Sequence, residues 1–358
     1  MEKYKKKKGK WSHFPDKRRL SVGFEKKCGV KKNTSKYIKL KYFKFLALII
    51  LFIMLFIITF FKKESLNNNY GLSFEQKMKD YNNPSKKFAI FNRYNGWDCG
   101  FFSNYIVHLG CMRHYLEEGY IPIVDLQSWP NRYNEKNTSL YNPWELFFYQ
   151  PYNYTMGEVK QYAKNFEYIN CTENYPRPDE ILIFFNKSST IFWHNFANKY
   201  MPIRNEILSE AKIIMNNLFG DSKNILGVKL RGTDYKKRPG GHSIQPKIEQ
   251  VIPDVKAYDK KYKYDFIFLA TEDEEIKQRF IPEFEGKIKL LNPDDKFMIN
   301  FKDQNYQFLK EVKNYVFNII ILANCLDIIS SKTSGSASLV VITNGFRNSF
   351  FYNLGTYR

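Results

Sequence analysis

The chain has 358 residues, 44% of them hydrophobic and 18% aromatic, which is long enough for two folded domains. Its net charge of +20 is lopsided: residues 1–44 hold 17 Lys and Arg against 3 Asp and Glu, a balance of +14 that leaves +6 for everything beyond. A basic excess held mostly in one tail takes away the main support for nucleic acid as the partner of the folded part, and leaves the tail itself to meet anionic lipid.

The first element in chain order is an apolar run from Phe45 to Phe61, broken only by Thr59 and flanked by Lys44 and by Lys62-Lys63. It predicts a single transmembrane helix. A cleaved signal peptide fits worse, because the run starts far from the N-terminus and no small-residue cleavage site follows it. The positive-inside bias places the tail in the cytoplasm and residues from about 64 onward outside it or in a lumen. Residues 64–86, with Asn67-Asn68-Asn69 and Asn83-Pro84-Ser85, read as a polar stem. Beyond the membrane lie Cys99, Cys111, Cys171 and Cys325, an even number that permits two disulfides in three pairings. Buried free thiols are the alternative for Cys111 and Cys325, which sit in apolar helical surroundings. Sequons at Asn137, Asn153, Asn170 and Asn186 fit a eukaryotic secretory compartment.

The body begins at Phe88. Phe88 to Phe91 predicts a strand, Phe102 to Glu118 a helix stopped by Gly119, and Ile121 to Asp125 a second strand, a β-α-β start that implies a parallel sheet. Trp129 to Tyr154 reads as an elaborated loop with short helices. A helical pattern over Lys199 to Phe219 leads through Gly220-Asp221-Ser222 into the strand Ile225 to Leu230, which sets a domain boundary near residue 222. Strands follow at Asp265 to Ala270 and Leu326 to Ser330, with a long amphipathic helix between them from about Gln304 to Asn324.

Three strand ends carry the chemistry. The first presents Arg231, Gly232 and Asp234: a guanidinium that can hold two phosphate oxygens, a residue that keeps bulk away from a ligand, and a carboxylate able to hold the arginine or the loop. A surface salt bridge at a strand end would look the same. The second offers Thr271, Glu272, Asp273 and Glu274, where Thr271 and Glu274 form a capping box and Glu272 and Asp273 are acceptors for a ribose or a purine. The third, Lys332 to Ser336, sets Thr333, Ser334, Gly335 and Ser336 just before an apolar helix from Ala337 to Ile342, an arrangement suited to phosphate. Neighbouring strands would converge these ends on one crevice at the carboxyl edge of the sheet. The chain has neither G-x-G-x-x-G nor G-x-x-x-x-G-K-[ST], which argues against a dehydrogenase or a P-loop enzyme. Glu272-Asp-Glu274 could imitate a metal-binding acidic motif, but the capping box accounts for it more simply.

Leu230-Arg-Gly-Thr-Asp-Tyr235, Leu269-Ala-Thr-Glu-Asp273 and Ser331-Lys-Thr-Ser-Gly-Ser336 resemble, in order and approximate spacing, the three motifs of the GDP-fucose-using fucosyltransferases, above all the α-1,6 core and nodulation branch and its α-1,2 relatives. Gly100-Phe-Phe-Ser-Asn104, the strand to Asp125 and Asn142-Pro-Trp-Glu145 look similar too, so the resemblance spans residues 88–358. It implies an α/β, GT-B-like fold of two Rossmann-type domains, here preceded by the transmembrane helix. The expected plan is a tail (1–44), membrane helix (45–61), stem (62–87), acceptor-side domain (88–221) and nucleotide-sugar domain (222–358). The resemblance further implies an inverting, metal-independent transfer from GDP-fucose to a glycan acceptor, with no cofactor besides the donor. Arg231 falls on the family's diphosphate-binding arginine, and Asp273 and Ser334 on its nucleotide-sugar positions. Such an enzyme would be a type II protein of the Golgi membrane in a eukaryote, or of the inner membrane in a bacterium. Another nucleotide sugar used in surface polysaccharide synthesis, or a non-catalytic glycan-binding protein on the same fold, are the competing readings.

Three departures mark this chain. Lys229 stands where the family commonly has histidine, Gly232 where many members have a second arginine, and Arg238 near the glutamate proposed as general base in the α-1,6 branch. His242 is then the candidate base at neutral pH, or else a loop residue packed on Pro239-Gly240-Gly241.

Overall fold

The computed structural model describes residues 72–94, 99–133, 141–178, 182–232, 235–238, 240–292, 307–343 and 345–358. The expected transmembrane helix, basic tail, Asn137 and Asp234 lie outside these residues. Among the described residues, no helix is long and apolar enough to cross a membrane.

Two parallel sheets organise the fold. In the first, β1 (Lys87–Asn92) lies between β2 (Tyr120–Val124) and β3 (Phe166–Asn170), with Ile90 level with Ile123 and Tyr168. The link from β1 to β2 is the expected helix, Phe101–Glu117. The second sheet has the order β6-β5-β4-β7-β8, from Ile225–Lys229 (β4), Phe266–Ala270 (β5), Ile288–Lys289 (β6), Asp327–Ser331 (β7) and Asn348–Tyr352 (β8), every pair parallel. β4 and β7 are buried along their whole length, as the inner strands of a sheet covered on both faces must be.

The stem carries a helix that the polar composition hid. Ser73 accepts from Gln76 N at 3.2 Å and starts α1 (Phe74–Asn82), with the Phe101–Glu117 helix then α2. Tyr81 at its end is 1% exposed against Phe88 and Tyr154, and Lys77 pairs with Glu158 at 3.0 Å. The folded body therefore reaches upstream of Phe88, because an apolar tooth at Tyr81 outweighs the asparagines around it. Residues 69–358 form one compact unit. Of three apolar clusters among the described residues, one reaches both sheets, from Ala89 and Phe91 to Phe268 and Ile328, across the expected boundary near residue 222.

The remaining helices are α3 (Met156–Tyr162), α4 (Leu182–Phe185), α5 (Lys187–Tyr200), α6 (Asn205–Phe219), α7 (Ile248–Tyr262), α8 (Glu274–Phe280), α9 (Gln307–Ala323) and α10 (Ser334–Ile342). Of these, α10 packs against α2, α4, α5 and α9, so it is the helix shared by the two sheet layers. Cys111 and Cys171 form a disulfide joining α2 to the residue beyond β3, while Cys99 and Cys325 are free. One of the two permitted bridges is thus made, and the free-thiol alternative holds for Cys325 alone.

Candidate active site at the carboxyl edge of the second sheet

The register brings the three strand ends together. Lys229, the last residue of β4, lies level with Ala270 on β5 and Ser330 on β7, so Arg231, Thr271-Glu272-Asp273 and Lys332 to Ser336 emerge side by side from neighbouring strands.

Between β4 and β5 the charges interlock. Arg231 Nε lies 3.4 Å from Glu272 Oε1, which also accepts from Gly232 N at 3.3 Å, and the guanidinium sits 5.2 Å from the Tyr235 ring centroid. Glu272 thus holds Arg231 in the way anticipated for Asp234. Asp273, rather than Thr271, caps the next helix: its Oδ1 accepts from Glu275 N at 2.9 Å and Ile276 N at 3.2 Å, so α8 opens at Glu274 and Thr271 only supports the turn through Asp273 N. The expected capping box is absent: Asp273 takes the free amides, and Glu274 pairs instead with Lys277. Asp273 also meets Lys236 at 2.8 Å. Burial alone would raise its pKa, but the hydrogen bond from Lys236, the two amides and the Lys236 charge together hold the carboxyl below its ordinary value. A Cβ at Gly232 would lie 2.1 Å from Asp273 Oδ2. A side chain at position 232 would therefore have to displace the Asp273 carboxyl.

Between β4 and β7 the contacts are hydroxyls. Helix α10 opens three residues earlier than the sequence suggests, at Ser334, with Thr333 as N-cap accepting from Ser336 N at 3.2 Å. Ser334, Gly335 and Ser336 are therefore its first turn rather than a loop before it. Lys229 Nζ donates to Thr333 Oγ1 at 3.2 Å, Thr333 Oγ1 and Ser336 Oγ are 3.0 Å apart, and Ser336 Oγ and Ser330 Oγ are 2.8 Å apart. Ser330 Oγ closes the ring on Lys229 O at 3.3 Å. Ser336 is fully buried, so its hydroxyl fastens α10 to the sheet while the backbone amides of the first turn keep the positive end of the helix. Gly335 leaves room for Tyr315, whose Oη would stand 2.2 Å from a Cβ there.

The first sheet contributes a second helix start. Tyr315 meets Phe102 edge-on at 5.1 Å and Ser338 Oγ reaches Phe102 O at 3.5 Å, which sets the opening of α2 beside that of α10. Beneath it Arg93, 5% exposed, donates to Ser103 Oγ at 3.1 Å and to Glu173 Oε1 at 2.6 Å. His108 lies behind this group, stacked on Phe91. Burial and the Arg93 charge push its pKa down to about 3, so it stays neutral. Arg93 follows β1 as Arg231 follows β4, a parallel that could have marked it in the sequence.

His242 lies apart from the interlocked charges. It is exposed, its Nδ1 is 3.3 Å from Gly240 O, and its ring meets Tyr235 edge-on at 5.7 Å. The strip around it is zipped to the C-terminus by Gly241 N to Tyr357 O, Tyr357 N to His242 O and Ile244 N to Gly355 O, each at 2.9 Å. Tyr235 is thus the link between His242 and Arg231. Arg238 is exposed with φ +51°.

No protein-family model and no curated protein matches the chain. Among solved structures, the chain is similar to fucosyltransferase NodZ from Bradyrhizobium, at 16% identity over 72% of this chain and 93% of that one, with a TM-score of 0.44. It is likewise similar to POFUT1 in complex with GDP, at 12% identity over 75% and 99% of the two chains with a TM-score of 0.46, and in complex with GDP-fucose, at 12% over 75% and 98% with a TM-score of 0.42.

Proposed function

We propose that this protein is a glycosyltransferase that binds GDP-fucose across the ends of β4, β5 and β7 and transfers fucose, with inversion and without a metal, to a glycan. The single observation that supports the reading is the register: Lys229 is level with Ala270 and Ser330, so an arginine, a carboxylate and a helix N-terminus leave neighbouring strands at one sheet edge, and their order along the chain is that of the fucosyltransferase motifs. Arg231 takes the diphosphate. Breaking the glycosidic bond develops negative charge on the β-phosphate, and a fixed guanidinium with the first-turn amides of α10 stabilises it. Glu272 serves the donor's ribose or base as acceptor. Asp273, its carboxylate engaged with Lys236 and α8, shapes the pocket from below Gly232. His242 is the candidate proton acceptor for the incoming hydroxyl, carried on the strip beside Tyr235. The acceptor side falls to the first sheet and α2, and residues 45–61 anchor the enzyme as a type II protein, in the Golgi of a eukaryote or the inner membrane of a bacterium.

The test is binding of GDP, UDP and CMP to the full chain in detergent with EDTA, followed by transfer from GDP-fucose. GDP binding with loss of transfer in Arg231→Ala on the order of 100-fold or more is expected. Preference for UDP or CMP would move the reading to another nucleotide sugar, and GDP binding without turnover over a broad acceptor panel to a glycan-binding protein.

A further inference from the structure

Three of the four sequons beyond the apolar run fall among the described residues, and the fold treats them differently. At Asn153-Tyr-Thr155 the asparagine is half-buried with φ +61°, Tyr154 is buried, and the Thr155 hydroxyl accepts from Glu158 N at 3.1 Å as the cap of α3. At Asn170-Cys-Thr172 the middle residue is buried and bridged to Cys111, which ties the tripeptide to α2. Asn186-Lys-Ser188 is the exception. All three of its residues are exposed, as is Phe185 before them, at the junction of α4 and α5.

The Asn186 amide divides its two ends between two tasks. Oδ1 accepts from Ser189 N at 3.1 Å and caps α5, while Nδ2, the atom that bears the sugar in an N-linked glycan, makes no hydrogen bond among the described residues. A sugar on Nδ2 leaves the oxygen, and so the cap, in place. The surroundings favour a cover. Phe185 is 63% exposed, and Ile191 and Phe192, 49% and 42% exposed, lie one turn along α5 from Lys187 and Ser188. Apolar groups gathered on a surface mark a contact, and a pyranose ring can lay its C–H face on an aromatic ring while its hydroxyls stay in water.

We propose that Asn186 carries an N-linked glycan whose first sugar packs over Phe185. This rests on the placement of residues from about 64 onward in the lumen of a eukaryotic secretory compartment, and not on the donor reading. In the modification a bond forms between Nδ2 and the anomeric carbon of the sugar, and the bond from that carbon to the diphosphate of a lipid-linked oligosaccharide breaks. The lipid diphosphate leaves with the bonding pair, and one amide proton passes to the medium.

The experiment expresses the full chain in a eukaryotic secretory cell and reads each sequon by mass spectrometry of peptides after release with a peptide N-glycosidase, which converts a glycan-bearing asparagine to aspartate. Occupancy at Asn186 is expected to exceed that at Asn153 and Asn170. Ser188→Ala removes the sequon and keeps the Asn186 cap, so it should abolish the glycan there and raise the binding of a hydrophobic dye to the protein in detergent-free nanodiscs. Wild type trimmed enzymatically to the first sugar should bind no more dye than the untrimmed protein. Dye binding equal in wild type and Ser188→Ala, or raised as much by trimming, overturns the packing over Phe185. An unmodified Asn186 overturns the site. If external trypsin then removes the tail from vesicles of the same cells, the lumenal placement stands and Asn186 alone fails; if the tail is protected, the placement falls as well.

Discussion

A side chain at position 232 would have to share space with the Asp273 carboxyl, whose three nearest atoms lie 2.1 to 2.5 Å from the place of a Cβ. The carboxyl cannot retreat without abandoning the amides of Glu275 and Ile276 and the Lys236 ammonium. Gly232→Ala is therefore expected to destabilise the protein by roughly 1–3 kcal/mol, as overpacking of a fixed neighbour does, and to lower the melting temperature more than Gly240→Ala, where a Cβ meets nothing closer than 3.9 Å. Asp273 also makes a pH prediction. Its folded pKa is depressed, so its stabilisation is complete above the unfolded aspartate value, near ~3.9, and is lost as pH falls through the folded value. Asp273→Asn keeps an acceptor for the cap but removes that titration. Acid unfolding followed by circular dichroism should then show a shallower fall for the variant below about pH 4; superimposable wild-type and variant curves would show that Asp273 carries no pH-dependent stability.

At the scale of elements, the strand ends were legible and the helix starts were not. Arg231 could be placed at a strand mouth because Ile225 to Leu230 is apolar throughout and then stops, and the structure ends β4 within one residue of that reading. The α10 start was misplaced because Ser, Gly and Ser suit both a loop and a first turn. Only the hydroxyl ring from Lys229 through Thr333 and Ser336 to Ser330 decides between them, and it joins residues up to 104 apart. The α8 cap failed for a related reason: Thr271, Asp273 and Glu274 all fit a helix start by type, and contact with Lys236 selects Asp273. Arg93 stayed hidden because charge in a sequence says nothing of burial. The disulfide was one of several allowed pairings and now makes an element-scale prediction. Closing 60 residues between α2 and the end of β3, it should contribute on the order of 4 kcal/mol in the chain-entropy account. Cys111→Ser with Cys171→Ser is expected to lower the unfolding midpoint in urea accordingly, and a midpoint unchanged from the oxidised wild type would show that the bridge is dispensable.

For the whole molecule, the question left by the fold is how a +14 tail and a 17-residue apolar run would serve the proposed glycosyltransferase, whose candidate site lies beyond residue 88. As a helix, residues 45–61 would span about 26 Å at 1.5 Å per residue, a little short of a hydrocarbon core about 30 Å thick. Lys44, Lys62 and Lys63 can make up the difference by extending their stems along the apolar boundary to the headgroups. The positive-inside bias then predicts the outcome of protease protection on sealed vesicles that keep their cytoplasmic face outward. Trypsin should remove the lysine-rich tail, leaving a product that begins near Lys44 and stays membrane-bound after carbonate extraction. Detergent should then expose the remainder. Release of the full chain by carbonate would mean that residues 45–61 do not span a bilayer. Protection of the tail with loss of residues 64–358 would invert the topology and place the proposed nucleotide-sugar site in the cytoplasm.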